Sequence, residues 1–479
     1  MARRLCLARA LLFNGIRIRP SLPVYLADGT FRLAIFSGFA HARRNHVPSL
    51  AGSDMSPSLD YDVVIVGGGP IGLSTAYHCA KAGQSVLVLE RFCFFNQSGS
   101  SNDLVRMFRT MYTEDFLADL AYEARNRWHE LERDSAEQLI LMSGLLNFGD
   151  VKYRSGPEGN LTDPIKNLER LKLPYRMLRA EEVMREYPFR DLPSDYAGIF
   201  APDNGCINVP LVLRTLFRLA QGYGAKLVPH VRVLELRPDN DGVSLTMDTG
   251  ERQTVRARRC ILACGAYSNE VLSSVGLRLK LDIWEMVYEY YATDPGPSGC
   301  YFPSMWFQFA EPTGGDPAKS NLFYGFPHVP WVPPNLVRIA VDNAVNVISD
   351  PTERKIVPAE NDLAITAQFV SEHCRGVDAR PNYCGSCLQT EVQDNLFVLD
   401  HLPPSAGDGC QNVFVFVGGW AFKFVPLFGQ ILKELAITGS SHTDISRFTI
   451  TRPGILVDPR VLAKTSAVAQ EKVFSRRTH

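Results

Sequence analysis

From Tyr61 onward the chain falls into short apolar runs of strand length separated by stretches with apolar residues at helical spacing. Val63 to Val66 is one such run. A glycine-rich turn follows, then helical spacing to about Ala82, where Gly83 can stop the helix. A second run, Ser85 to Leu89, closes on Glu90. After a polar loop come "LVRMFRTMY", in which Arg106 and Arg109 are expected one helical turn apart, and a long amphipathic pattern, "EDFLADLAYEARNRWHELERD". Strands and turns are expected from about Ile140, and a further helix from Pro210, with proline in its first turn. "RRCILACGAYSNEVL", from Arg258, reads as a strand closing on Gly265 before another helix. From Leu281 to Asp400 aromatics, prolines and short alternating runs suit an antiparallel sheet. The apolar run from Asn412 is interrupted by Gly418, Gly419, Lys423 and Pro426, so it reads as a buried strand, a turn and a helix start, with no membrane span.

The first strand, turn, helix and second strand carry chemistry. Gly67, Gly69 and Gly72 fit G-x-G-x-x-G between strand and helix. There the backbone can turn tightly against a pyrophosphate seated on the helix N-terminus. Glu90, eighteen residues after Gly72, can accept hydrogen bonds from ribose hydroxyls and disfavours a 2′-phosphate. The candidates are FAD and NAD.

At 479 residues, 46% hydrophobic and 21% charged, with mean hydropathy −0.07, the chain can bury two or three domain cores. A net charge of −1 offers no broad basic field for nucleic acid. Eleven cysteines lack a repeating framework, which predicts free thiols in a reducing compartment. Cys384 and Cys387 stand three apart, but no second pair completes a four-ligand metal site. The residues after them read as strand, turn and strand, unlike a redox Cys-x-x-Cys at a helix start. Taken alone, both read first as small buried apolar side chains. Residues 1–53 hold eight arginines, no lysine and one acid, Asp28. That composition suits a mitochondrial leader, with an upstream extension and a cytoplasmic or peroxisomal protein as the alternatives.

Several stretches together resemble the monomeric sarcosine oxidase and L-pipecolate oxidase family of flavoenzymes, within the glycine/D-amino-acid oxidase fold group. They are "GGGPIGLSTAYHCAKAGQSVLVLE", "GSSNDLVRMFRTMY", "NLFYGFP", "SCLQTEVQDN" and "GGWAFKFVPLFGQILKELAITGSSHTDISRFTITRP", and they span about 61 to 453. The resemblance implies an α/β (α+β) fold, a Rossmann-like FAD-binding domain with an inserted antiparallel-sheet substrate domain. The FAD-binding pieces would be 61–142, 207–280 and 391–455, and the substrate pieces 143–206 and 281–390, with 456–479 a tail. It implies FAD as the cofactor, joined through its 8α-methyl group to Cys387, which stands seven residues before Asp394 as the family's cysteine does. Gly67, Gly69, Gly72, Glu90, Gly265, Gly418 and Gly419 would help hold it, and Cys384 would be structural.

The resemblance also implies that Arg109 and Lys423 fix a substrate carboxylate, that Tyr324 shapes the pocket, and that Arg106 lies close to the flavin. Arg338 stands where the family has an oxygen-activating lysine. Three further family positions hold Asn102, Gln389 and Asp342 in place of histidine, tyrosine and histidine, a more polar pocket than sarcosine needs. Asp342 suits a second nitrogen or polar arm on the substrate, or is a solvated loop acid. The implied activity is oxidation of a secondary-amine or cyclic imino amino acid to an imine, with oxygen reduced to hydrogen peroxide. A dehydrogenase passing electrons to a carrier and a non-catalytic flavin-binding protein are the alternatives. A monomer is implied, and no metal.

Overall fold

The computed structural model describes residues 59–153, 159–294, 302–310, 322–342 and 344–457. The chain divides into the units Met1–Ser56 and Pro57–His479, and all described residues belong to the second. The segment 1–53 expected as a leader, and the expected tail 456–479 from residue 458 onward, lie outside the described residues.

The apolar runs become the strands of a first sheet, built around a parallel core. Tyr61–Val66 pairs in parallel with Val86–Leu89 on one side and with Arg252–Leu262 on the other. Lys226–Val228 extends the sheet beyond Val86–Leu89, and Val413–Val417 pairs in parallel with Arg252–Leu262. Tyr61–Val66, Val86–Leu89 and Val413–Val417 are buried along nearly their whole length, as expected of parallel strands covered on both faces. The helices Pro70–Lys81, Val209–Gly222 and Val425–Thr438 share one hydrophobic core with the sheet. Gly72 explains part of the spacing between strand and helix. A Cβ there would lie 1.9 Å from the carbonyl oxygen of Gly67, so helix and turn can meet only at glycine.

A second, nine-stranded sheet is dominated by Leu281–Thr293 and Val377–Val392, which pair antiparallel over most of their length. Its remaining strands pair antiparallel except Met305–Phe309, which runs parallel to Leu145–Asp150. The expectation of a purely antiparallel sheet is corrected at that one pair. These two segments are far apart in sequence, so no tight hairpin dictates their relative direction.

A third sheet of three short strands is not foretold by the pattern. Val105–Phe108 pairs antiparallel with Gly205–Asn208, which also pairs with Ile140–Leu141. Arg106 therefore sits in a strand, and the helical turn expected between Arg106 and Arg109 is absent. The alternation of buried Val105 and Phe108 around half-buried Arg106 and Met107 serves that strand, whose partners lie about a hundred residues away. Among the described residues no helix is long and apolar enough to cross a membrane, and the described cysteines are all free.

Candidate functional site

A cavity of about 560 Å³ runs from the glycine turn to the strand carrying Cys387. At its first end the loop from Val66 reaches the N-terminus of Pro70–Lys81 through Gly69, the N-cap. A Cβ built at Gly69 would meet nothing within 4 Å, so the backbone here borders open space. Glu90 follows the second strand and is buried. Its carboxylate accepts the Gly68 amide at 2.7 Å and the Phe92 amide at 2.9 Å. That clamp aims the carboxylate at the turn where a ribose would lie beside its pyrophosphate. An open glycine cradle, a helix N-terminus and a fixed carboxylate fit the adenosine and pyrophosphate of a dinucleotide.

The other end holds the remaining candidates. Arg106, Arg109, Tyr324, Arg338, Cys387, Gly418, Gly419 and Lys423 all line this one cavity, as do Gly67, Gly69, Glu90 and Gly265. Gly72 does not; it serves the packing of helix on turn. Cys387 is buried in the strand Val377–Val392, and strand alternation puts Gln389 and Glu391 on the same face. Burial pushes the Cys387 thiol up, and Arg106, whose Nη2 lies 3.6 Å from the sulfur, draws it back. Gly419 presses the turn after Val413–Val417 onto this strand: a Cβ there would lie 2.4 Å from both Gln389 Cγ and Glu391 Oε1. Asp394 is held by Arg452 through two hydrogen bonds of 2.6 and 2.9 Å.

Arg109 and Lys423 converge on Tyr112, with the guanidinium carbon 4.7 Å and the ammonium 5.9 Å from its ring centre. The Lys423 carbonyl is fixed by Trp128 Nε1 at 2.7 Å, from the long helix Asp115–Ser135. Two cations beside a partly aromatic wall suit a carboxylate, which a guanidinium can grip through two parallel hydrogen bonds. Tyr324 stacks on Phe307 with ring centres 5.1 Å apart. Its hydroxyl accepts a 3.2 Å hydrogen bond from Arg338.

The sequence gives no hint of the hub that organises this end. Asp103 is fully buried and forms ion pairs with Arg106 and, at 2.8 Å, with Arg338 Nε. It also accepts the Tyr290 hydroxyl and the Leu104 amide, each at 2.7 Å. Burial alone would raise its pKa; Arg338 and Arg106, with those two hydrogen bonds, hold it below the usual carboxylate range. The two guanidiniums and one carboxylate leave one net positive charge beside Cys387. Arg338 Nη1 has no hydrogen-bond partner.

The three family departures also find places. Asn102 donates to the Ser386 carbonyl at 2.6 Å, tying the loop before Asp103 to the residue before Cys387. Gln389 and Asp342 both line the cavity. Glu391 is a further cavity carboxyl, 4% exposed, which burial raises to about 7. Its place two residues beyond Gln389 and four beyond Cys387, on the same strand face, was the available signal.

Residues 62–435 match the family described as FAD dependent oxidoreductase. A Dictyostelium discoideum protein carrying the provisional name of bifunctional amine oxidase is 47% identical over 82% of this chain and 37% of its own length. The chain thus spans little more than a third of that relative. The monomeric sarcosine oxidase of a Bacillus strain is 26% identical over 83% of this chain and 97% of the enzyme. The open form of NikD, an unusual amino acid oxidase essential for nikkomycin biosynthesis, is 37% identical with a TM-score of 0.74, covering 82% of this chain and 98% of that one.

Proposed function

The chain belongs to the family of FAD-dependent oxidoreductases, and on that premise we propose that it oxidises the C–N bond of a secondary-amine or cyclic imino amino acid to an imine, with oxygen as electron acceptor. The observation that carries this reading is the meeting of Cys387, Arg109 and Lys423 on one cavity that begins at a dinucleotide cradle. Similarity to a sarcosine oxidase and to NikD supports the amino-acid class of substrate.

FAD, when bound, would supply the acceptor for two electrons, and Cys387 would hold it. Arg109 and Lys423 hold the substrate carboxylate, which fixes the α-carbon and leaves its C–H bond facing the ring system. Tyr324 and Phe307 close one wall with stacked aromatic faces and exclude water from the amine. The polar wall of Gln389 and Asp342 receives a substrate larger than sarcosine, with a ring or a second polar arm. The positive charge left by Arg106 and Arg338 over Asp103 stabilises negative charge arriving on oxygen. Water then hydrolyses the released imine, or the imine cyclises.

The Asp103–Arg338 ion pair favours a second reading of the acceptor. A guanidinium already engaged by a carboxylate at 2.8 Å is a weaker oxygen-activating cation than a free ammonium, which suits a dehydrogenase serving an electron carrier. Turnover of L-pipecolate, L-proline, sarcosine and N-methyl amino acids under air tests the choice. Oxygen consumption matched by peroxide supports the oxidase. Turnover only with an added dye supports the dehydrogenase, and then Asp103→Asn should increase the oxygen rate.

We also propose that the protein works as a monomer and that residues 1–53 direct it to mitochondria. Fluorescent fusions with and without those residues test the second point, and the same distribution for both would refute it.

A further inference from the structure

Glu391 is a buried carboxyl of the cavity that the proposed chemistry leaves without a task, and its surroundings are unusual. It is 4% exposed, it lines the cavity, and its Oε1 has no hydrogen-bond partner. An ionised carboxylate in that position would be a poorly compensated buried charge, which burial resists by favouring the protonated form. The charged and polar groups facing it come from every neighbouring element. Asp342 follows the strand Leu336–Val341, Asp282 stands opposite in the strand Leu281–Thr293, Lys423 lies in the turn after Gly419, and Gln389 is on its own strand. Burial raises Glu391 most, Asp342 and Asp282 add to it, and Gln389 and Lys423 draw it back, leaving a group that titrates at about 7.

Its position relative to the cofactor follows from which residues line the cavity. With the ribose at Glu90 and the pyrophosphate at the glycine turn, the flavin ring is left the far end, between Cys387 and Gly419. Cys387 and Glu391 share a strand face four residues apart, roughly 13 Å along it, so both would face a ring system held in this end of the cavity. Reduction places negative charge on that ring, and an ionised Glu391 beside it would add like-charge repulsion.

We propose that Glu391 is the proton store of the flavin site: its carboxylate takes one proton from solvent as the bound flavin gains two electrons, and returns it when they leave. This rests on the flavin reading above. The hydride brings two electrons and one proton to the ring; the additional proton goes to Glu391 and offsets the charge the ring acquires. Reoxidation reverses both.

The test is the two-electron midpoint potential of the bound flavin, measured against pH by dye equilibration without substrate, in wild type and E391Q. Each proton taken up with two electrons moves the potential by ~30 mV per tenfold change in proton concentration. Between pH 8 and 8.5, where the oxidised protein holds Glu391 ionised, the wild type should fall by ~60 mV per pH unit and E391Q by ~30 mV. The flavin's own ring nitrogens are the same in both, so equal slopes in two yellow proteins would overturn the proposal alone. Electrochemical reduction of wild type in weakly buffered solution at pH 7.5 gives a second readout that needs no variant. Two protons taken up per flavin support the store, and one overturns it. A colourless protein that takes up no FAD would overturn the flavin reading and this proposal with it.

Discussion

Asp103→Asn is the perturbation that most directly probes the buried hub. Asparagine has nearly the volume of aspartate and keeps an oxygen for the Tyr290 hydroxyl and the Leu104 amide, while its amide nitrogen replaces the oxygen that faces both guanidiniums, so the change removes the charge and their shared acceptor. Two guanidiniums lose their shared counter-charge, Arg106 and, at 2.8 Å, Arg338. At an effective dielectric of about 20 each contact represents ~4 kcal/mol of attraction, much of it offset by the cost of burying the ions. Removing one partner while the other stays buried typically costs ~3–5 kcal/mol, and Arg338 is only 4% exposed. The assay is equilibrium urea unfolding followed by tryptophan fluorescence, with both proteins at the same pH and FAD concentration. D103N should lose ~3–5 kcal/mol. The double variant D103N/R338M should recover part of it, because the second change removes a stranded cation. A D103N protein within ~1 kcal/mol of wild type, or a double variant less stable than the sum of the single changes, would refute the reasoning.

Other outcomes follow from the same geometry. Cys387→Ser should release the flavin into the supernatant on acid precipitation, and a pellet that stays yellow would show the tether lies elsewhere. Arg109→Ala removes a charge-assisted grip of ~1.5–3 kcal/mol, so KM should rise about 10- to 150-fold; an unchanged KM would move the carboxylate clamp. Glu289 is buried in the second sheet, and burial raises its carboxyl from 4.5 to about 7 despite hydrogen bonds from Tyr291 and Thr366. A raised folded-state pKa means that the folded protein binds the extra proton between those values. Its stabilising contribution is therefore complete below pH 4.5 and lost as pH rises through 7, by at most ~3 kcal/mol. The difference in unfolding free energy between wild type and E289Q should change in that direction from pH 4.5 to 8, and a constant difference would refute it.

How far the sequence reaches depends on the range of the interaction. The nucleotide unit is legible because its signals are local: an apolar run, three spaced glycines, a helix and a terminal acid lie within thirty residues. The strand and turn around Cys387 and the helix opening near Pro426 are legible for the same reason. Asp103 is not, because its worth comes from Arg338 and Tyr290, the latter 187 residues away, and no local pattern announces such a meeting. "LVRMFRTMY" misleads because arginines three apart suggest a helical face, whereas a partner strand a hundred residues on makes Val105–Phe108 extended. Glu391 lay in plain view, two strand residues beyond Gln389 and four beyond Cys387, and strand alternation alone aims all three at one cavity. Gly72, the third glycine of the motif, lies off the cavity and lets the helix meet the turn, with a Cβ there only 1.9 Å from the Gly67 carbonyl oxygen.

The most direct test of the central claim is to mix the purified yellow protein anaerobically with L-pipecolate, L-proline, sarcosine, N-methyl amino acids and amino-linked dicarboxylates, and to follow the flavin absorbance. The account predicts rapid bleaching by at least one secondary-amine or cyclic imino acid, with slower or no bleaching in the R109A variant. No bleaching by any member, or equal bleaching in R109A, would contradict it.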